Sequence, residues 1–208
     1  MTVLVTIGPT QEPIDAMRLI TNRSTGTLGS LLCITLATAG HRVISLRGTG
    51  ATADSSELSR AATSIIPFTT TAELGHAIEC VSATEKIDAV FHAAAVSDFF
   101  FQEANSGKIP SNEGSITLTL QPTRKLLPLM RDWFPNAVIT GWKFEASGSH
   151  EDAIASAKSQ IAVCRTDACV VNGPSYGRGF GFLGNDGILQ HHDTCEQLCH
   201  FLAEKLPR

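Results

Sequence analysis

The chain of 208 residues is 43% hydrophobic and 17% charged, with a formal net charge of −4. That length and balance predict one globular domain over residues 1–208, with a core large enough to need no staples, and exclude disordered and fibrous classes. The acidic balance argues against a general nucleic-acid binder, and no apolar run is long enough to cross a bilayer. Met1 enters a strand-like run with no basic leader, so a cytoplasmic chain with neither membrane nor nucleic-acid partners is expected.

Residues 3–7, Val-Leu-Val-Thr-Ile, form a β-branched strand run that breaks at Gly8-Pro9. A polar loop dense in Thr, Asn, Ser and Arg follows to Thr25, and residues 26–39 are apolar at helical spacing, stopping at Gly40. Further strand runs recur at 42–46, 65–68, 89–93, 137–142 and 167–172. Between them the pattern predicts helices over 71–82, opening on a Thr-Ala-Glu cap, and over 124–134 and 151–163; a last helix covers 194–206. Such alternation predicts an α/β fold, a three-layer, Rossmann-like, doubly wound and mostly parallel sheet. Two insertions interrupt it. Residues 99–114 are polar and lead into a period-two strand at 115–120. Residues 172–190 are glycine-rich and read as a flexible loop closing into a hairpin turned at Asn185-Asp186-Gly187. Both follow strand carboxyl ends, where open α/β sheets place their ligands.

The six cysteines, Cys33, Cys80, Cys164, Cys169, Cys195 and Cys199, have irregular spacings and lie mostly in apolar runs, which predicts buried free thiols. Cys195 and Cys199 share a helical stripe with Leu198, Leu202 and Leu206, a core face and not a metal site.

The turn after the first strand is too long for a G-x-G-x-x-G dinucleotide fingerprint. Instead Ser24-Thr25-Gly26-Thr27 would present hydroxyls and backbone N–H groups at a helix N-terminus, a seat for phosphate; a plain capped helix is the rival reading. The fourth strand ends in Ala93-Ala94-Ala95-Val96-Ser97-Asp98. Small residues there let a planar base or ribose lie against the backbone, and Asp98 can accept from sugar hydroxyls or help hold a metal. Close helix–sheet packing and a turn cap are the bland alternatives. On composition alone, Arg18 and Lys108 are solvated charges.

These segments add up to a family. Residues 8–15 (Gly-Pro-Thr-Gln-Glu-Pro-Ile-Asp), Arg18, Asn22-Arg23-Ser24-Thr25-Gly26, Gly29, Ala94-Ala95-Val96-Ser97-Asp98 and Gly107-Lys108-Ile109 strongly resemble phosphopantothenoylcysteine synthetase, also called phosphopantothenate–cysteine ligase. Weaker matches follow at Gly141-Trp142-Lys143-Phe144-Glu145 and over residues 167–172, so the resemblance runs through the whole chain in order. It implies a two-step ligation in coenzyme A biosynthesis. CTP or ATP, with Mg²⁺, activates the carboxylate of 4′-phosphopantothenate as an acyl-nucleotidylate, and the amine of cysteine then displaces the nucleoside monophosphate.

The resemblance assigns Asn22 to holding the acyl intermediate and Lys108 to charge developing on the transferring phosphoryl group. Arg18 and the Gly8-Pro9-Thr10 turn would line the substrate and phosphate pocket, with Ser24, Thr25 and Gly26 at the phosphate. Ala94, Ala95 and Asp98 would border the nucleotide, with Trp142 against the base. It further implies a homodimer with the Lys108 insertion near the subunit interface, and no flavin in this chain. The chain departs from the family pattern in three places: Thr27, residues 162–166 (Ala-Val-Cys-Arg-Thr) and residues 121–125 (Gln-Pro-Thr-Arg-Lys) each stand where lysine is usual. Fewer cations make a weakened relative, one that binds nucleotide or a phosphopantothenate-like ligand without ligation, the alternative. A short-chain oxidoreductase needs Tyr-x-x-x-Lys, and Phe180 stands four residues after the sole tyrosine, Tyr176.

Overall fold

The computed structural model describes residues 1–102, 107–110 and 114–207. In chain order, β1 (Thr2–Ile7) is followed by a small hairpin, β2 (Gln11–Pro13) and β3 (Leu19–Thr21), then α1 (Thr27–Thr38), β4 (Arg42–Gly48), α2 (Ser56–Ala61), β5 (Ser64–Phe68), α3 (Thr71–Thr84) and β6 (Ala89–His92). A second ribbon, β7 (Phe99–Phe101) with β8 (Leu120–Pro122), precedes a 3₁₀ turn (Leu127–Leu129) running into α4 (Met130–Trp133). The chain ends with β9 (Val138–Phe144), α5 (His150–Cys164), β10 (Ala168–Asn172), β11 (Phe180–Gly184), β12 (Leu189–His192) and α6 (Cys195–Glu204).

Eight strands form one sheet in the order β12-β11-β10-β9-β6-β1-β4-β5. Pairing is parallel from β5 across to β10 and antiparallel at β10–β11 and β11–β12. Alternate side chains of β1 feed two cores. Val3, Val5 and Ile7 meet Leu32 and Leu36 of α1 and Leu198 and Leu202 of α6. Leu4, with Ile44 and Leu46, meets Leu74 and Ile78 of α3 and Met130 of α4. Over β10, Cys169 and Val171 pack on Ala153 and Ala157 of α5, while Val170 joins the α1 side. The expected three-layer, doubly wound fold is therefore present, with the switch point between β1 and β6, beyond whose carboxyl ends a crevice opens.

Local chemistry explains the element ends. Thr70 and Ser149 open α3 and α5 with reciprocal capping boxes through Glu73 and Asp152. The 185–187 turn closes β11 onto β12, with Gly187 at φ +80° and its N–H donating to Gly184 O at 3.0 Å. The hairpin expected at the end of that insertion is therefore present, and it extends the sheet. Cys199 lies in the core with Leu198, Leu202 and Leu206, whereas Cys80 is exposed on α3, against expectation.

Three other expectations change. The strand predicted at 115–120 survives only as Leu120 in β8, because its alternation faces no sheet: Ile116 and Leu120 are both exposed. The helix predicted over 124–134 is a 3₁₀ turn and a single α turn, since Pro128 lacks the N–H a continuous helix needs. The polar loop from Gly8 to Thr25 contains β2 and β3, and α2 was not foreseen. Part of the first insertion, residues 103–106 and 111–113, lies outside the described residues.

Helix α1 approaches β1 closely because Gly29 has no side chain. A Cβ there would lie 2.9 Å from Ile7 Cγ1 and 3.0 Å from Cγ2. Gly29→Ala should therefore lower stability by roughly 1–3 kcal/mol, the usual cost of overpacking a filled core. Thermal unfolding checks this, and an unchanged Tm would mean that α1 does not seat on Ile7.

Candidate active site

The crevice at the switch point is a cleft of about 1250 Å³. Gly8 and the segment 22–29 form one wall, and the floor runs from His92 to Asp98. The opposite wall is built from 125–128, 142–144 and α5 side chains at Gln160, Val163 and Cys164. Sequence position alone would not unite these segments. Parallel pairing of β1, β6 and β9 brings their carboxyl ends to one edge.

The floor is an extension of the sheet. Ala95 N–H donates to Gly8 O at 2.9 Å and Thr10 N–H donates back to Ala95 O at 3.1 Å. Thr10 Oγ1 then accepts the Ser97 N–H at 2.8 Å. Pro9 and Thr10, expected to line the phosphate pocket, are instead buried behind it. They hold the floor: the Thr10 side chain is fully buried and its hydroxyl is engaged by backbone. Gly8 does line the cleft at φ +79°, where a Cβ would lie 2.7 Å from Ala51 Cβ. Ala94 and Ala95 line it as expected.

Asn22 reaches across the cleft, its Nδ2 donating to Val96 O at 2.8 Å. Ser24, Thr25 and Gly26 follow on the same wall. Gly26 is the N-cap of α1 in the left-handed region and supplies no capping side chain, while Thr25 Oγ1 accepts the Thr27 N–H at 3.3 Å. The helix start is thus partly self-satisfied. Asp98 is exposed and ion-paired to Lys125, and a surface pair of this kind exchanges partners at little cost. Trp142 is half-buried, edge-on to Phe91 at 6.5 Å and 72°, with no acceptor for its indole N–H among the described residues.

Three cations border the cleft that the motif reading left out of its site: Arg23, Lys125 and Lys143. Lys143 sits 3.3 Å from Glu145 and opposes the effect of burial, which pushes the Cys164 thiol up. Arg23 and Lys143 were each inside a quoted motif, and a strand's two-residue alternation was the signal that Lys143 faces away from Trp142. Val163 and Cys164, from the segment that departs from the family pattern, also line the wall.

Arg18 and Lys108 are not in this cleft. Arg18 donates to Asp15 and to Ile109 O, and the Ala16 N–H donates to Gly107 O at 3.3 Å, so residues 107–110 dock on the β2–β3 hairpin. Asn22 therefore lines the cleft and Lys108 of the same chain does not. The latch is Asp15, whose side chain is buried and accepts N–H groups from Ile109 at 3.0 Å, Met17 at 2.8 Å and Arg18 at 2.7 Å. The Ile109 N–H, aided by Met17 and Arg18 and opposed by burial, holds the carboxyl at about 2. Because the folded value is depressed, the latch is fully formed above the ordinary carboxylate range and is lost as pH falls through about 2. Asp15→Asn should release it at neutral pH, seen as faster hydrogen exchange at Ile109; unchanged exchange would assign the docking to other contacts.

A family model for the DNA/pantothenate metabolism flavoprotein C-terminal domain matches residues 1–205. The chain belongs to this family. A coenzyme A biosynthesis bifunctional protein, CoaBC, from Thermococcus kodakarensis is 32% identical over 206 residues, covering 99% of this chain and 47% of that protein. A mouse phosphopantothenate–cysteine ligase is 31% identical over 114 residues, 51% of this chain and 36% of that protein. The solved DNA/pantothenate metabolism flavoprotein from Streptococcus pneumoniae is 25% identical and superposes with a TM-score of 0.83, covering 99% of this chain and 97% of that one. The chain thus spans about half the length of the curated relatives it matches. Of the motif-bearing segments, Gly8, 22–29, 94–98 and 142–144 meet at one cleft, whereas Arg18 and residues 107–109 lie outside it. Among the described residues no helix is long and apolar enough to cross a membrane.

Proposed function

We propose that this chain ligates 4′-phosphopantothenate to cysteine through an acyl-nucleotidylate, using CTP or ATP. The observation that carries the reading is the cleft itself, in which the Asn22–Gly26 wall faces the Ala94–Asp98 floor, in a member of this family. In the first step a carboxylate oxygen of the acid bonds to the α-phosphorus and the bond to pyrophosphate breaks. In the second the cysteine amine bonds to the acyl carbon, the nucleoside monophosphate leaves with that oxygen, and the amine sheds a proton. Activation is needed because a carboxylate is a poor acyl donor. Neither step changes an oxidation state, so no flavin is assigned to either.

Both substrates are anions, so the site must offset their repulsion and hold them in line. Arg23, Lys125 and Lys143 supply positive charge along the cleft. Asn22, anchored through Nδ2 to Val96 O, is positioned to orient the acyl intermediate without adding charge. Ala94 and Ala95 leave room for a planar group, and Trp142 borders it. Mg²⁺ suits hard oxygen donors, and Asp98 is the one carboxylate among the described residues lining the cleft, with the Ser24 and Thr25 hydroxyls opposite. These residues fit a magnesium-bound nucleotide; bound there, the ion would neutralise phosphate charge.

Lys108 enters through a second copy. Met17, Leu19, Phe99, Ile116 and Leu120 expose large apolar side chains around the two ribbons, the surface on which residues 107–110 dock. A homodimer would cover that surface and carry Lys108 to the partner's cleft. The same reading places the enzyme in the cytoplasm. A second reading, ligand binding without ligation, draws support from Val163 and Cys164 on the wall.

Incubation with phosphopantothenate, cysteine, Mg²⁺ and either nucleotide should release pyrophosphate and form the amide; tight nucleotide binding without pyrophosphate favours the second reading. Asn22→Asp should retain pyrophosphate release while amide yield falls by about tenfold or more, as a carboxylate repels the intermediate. An equal fall in both products removes Asn22 from that role. Lys108→Gln should lose the first step, and mixing K108Q with N22D subunits should restore activity that neither has alone. No restoration would place Lys108 outside the partner's site.

A further inference from the structure

His92 ends β6 on the cleft floor, is 6% exposed, and has no part in the ligation as laid out above. It is paired in register with Thr6, so the two side chains share a face of the sheet. Thr6 Oγ1 accepts the Ala94 backbone N–H at 3.1 Å and lies 2.9 Å from His92 Nδ1. A hydroxyl has one hydrogen to give. If Nδ1 carried its own hydrogen, the Thr6 hydroxyl hydrogen would have no acceptor between two buried strands, which folded proteins rarely tolerate. Thr6 therefore donates to Nδ1, and the ring hydrogen sits on Nε2.

Burial lowers the ring's pKa to about 4, so the imidazole is uncharged at neutral pH. His92 Nε2 has no hydrogen-bond partner among the described residues; unlike His192 Nε2, it is not sealed from the surface. Beside it, Gly141 pairs with His92 across β6 and β9, and Gln160 and Leu127 close over that glycine: a Cβ there would lie 2.7 Å from Gln160 Nε2 and 2.9 Å from Leu127 Cδ2. The groups packed directly beside His92 are thus uncharged, a carboxamide and an alkyl side chain, with Lys143 two residues beyond Gly141 on the same face of β9, and the ring keeps an N–H to give.

From this juxtaposition we infer that His92 is a substrate-contacting specificity residue, its Nε2–H donating to an oxygen of the bound substrates. The acceptor is either a phosphoryl oxygen of the nucleotide or a carboxyl oxygen of the acid. The inference rests on the ligase reading for the identity of those substrates. The Thr6 hydroxyl is its positioning partner, because it decides which nitrogen carries the hydrogen.

The test combines a spectroscopic readout with binding. Long-range proton–nitrogen NMR of histidine-labelled protein should find His92 neutral and protonated on Nε2 between pH 5.5 and 8, on the order of the range over which a free histidine titrates. Binding of CTP, ATP and phosphopantothenate is then measured separately by calorimetry with Mg²⁺. His92→Leu should weaken one of the two substrate classes by about tenfold, His92→Gln should stay within about threefold of the parent, and the affected class names the oxygen. Thr6→Val should mix the tautomers and weaken the same class, and stands in if His92→Leu does not fold. Hydrogen on Nδ1, or unchanged binding of both classes by His92→Leu, overturns the inference. An active parent with an unaffected His92→Leu variant fails this inference alone; a parent that makes no pyrophosphate, yet loses binding on His92→Leu, fails the ligase reading alone.

Discussion

A short ladder ties the end of β1 to the segment beyond β6, and the cleft depends on it. Gly8 O, Thr10 N–H and Ala95 exchange backbone hydrogen bonds past the last residues of the regular sheet, and the Thr6 and Thr10 hydroxyls take the N–H groups of Ala94 and Ser97. Buried donors are thereby satisfied, so the floor does not collapse toward water. The ladder works only because its residues are small. Gly8 has Ala51 packed where its Cβ would be, and Gly26 and Gly29 let α1 rest on Ile7. Backbone, and not long side chains, forms most of the surface on which a ligand would lie.

Charge on that surface is sparingly used. Lys125 is balanced by Asp98 and Lys143 by Glu145, while Asn22, Gln160 and His92 contribute uncharged donors. Neutral donors hold an anion without the large desolvation cost of burying a cation before the anion arrives. Where the family pattern leads one to expect lysines, Val163 and Cys164 make the wall apolar. Under the proposed ligation, such a cleft would ask more of a nucleotide-bound metal and of a second subunit than a lysine-rich one would.

Much of the fold was legible because strand runs such as 3–7 and 42–46 are β-branched and bounded by glycine, and their alternation with capped helices leaves few topologies. The site's wall and floor were legible for a related reason: Gly-Pro turns, an Asn-Arg-Ser-Thr-Gly stretch and a run of alanines are unusual where a strand simply ends. Side-chain direction was not. Thr10 lies in a ligand-like motif yet turns inward to the backbone, and Lys125 reaches the cleft from the segment between β8 and the 3₁₀ turn. Nor could sequence alone reveal that residues 107–110 dock on the β2–β3 hairpin, since that follows from the buried carboxylate of Asp15. Pro128 is the reverse case: its consequence for the 124–134 helix was readable and outweighed by the amphipathic pattern around it.

Activation at the α-phosphorus is the step for which this arrangement of wall, floor and cations is proposed, and isotopic oxygen follows it directly. Phosphopantothenate labelled with ¹⁸O in its carboxyl group, turned over with cysteine and nucleotide, should deliver one ¹⁸O to the released nucleoside monophosphate. Label appearing in inorganic phosphate instead, or remaining out of the monophosphate while amide forms, would contradict an acyl-nucleotidylate in this cleft.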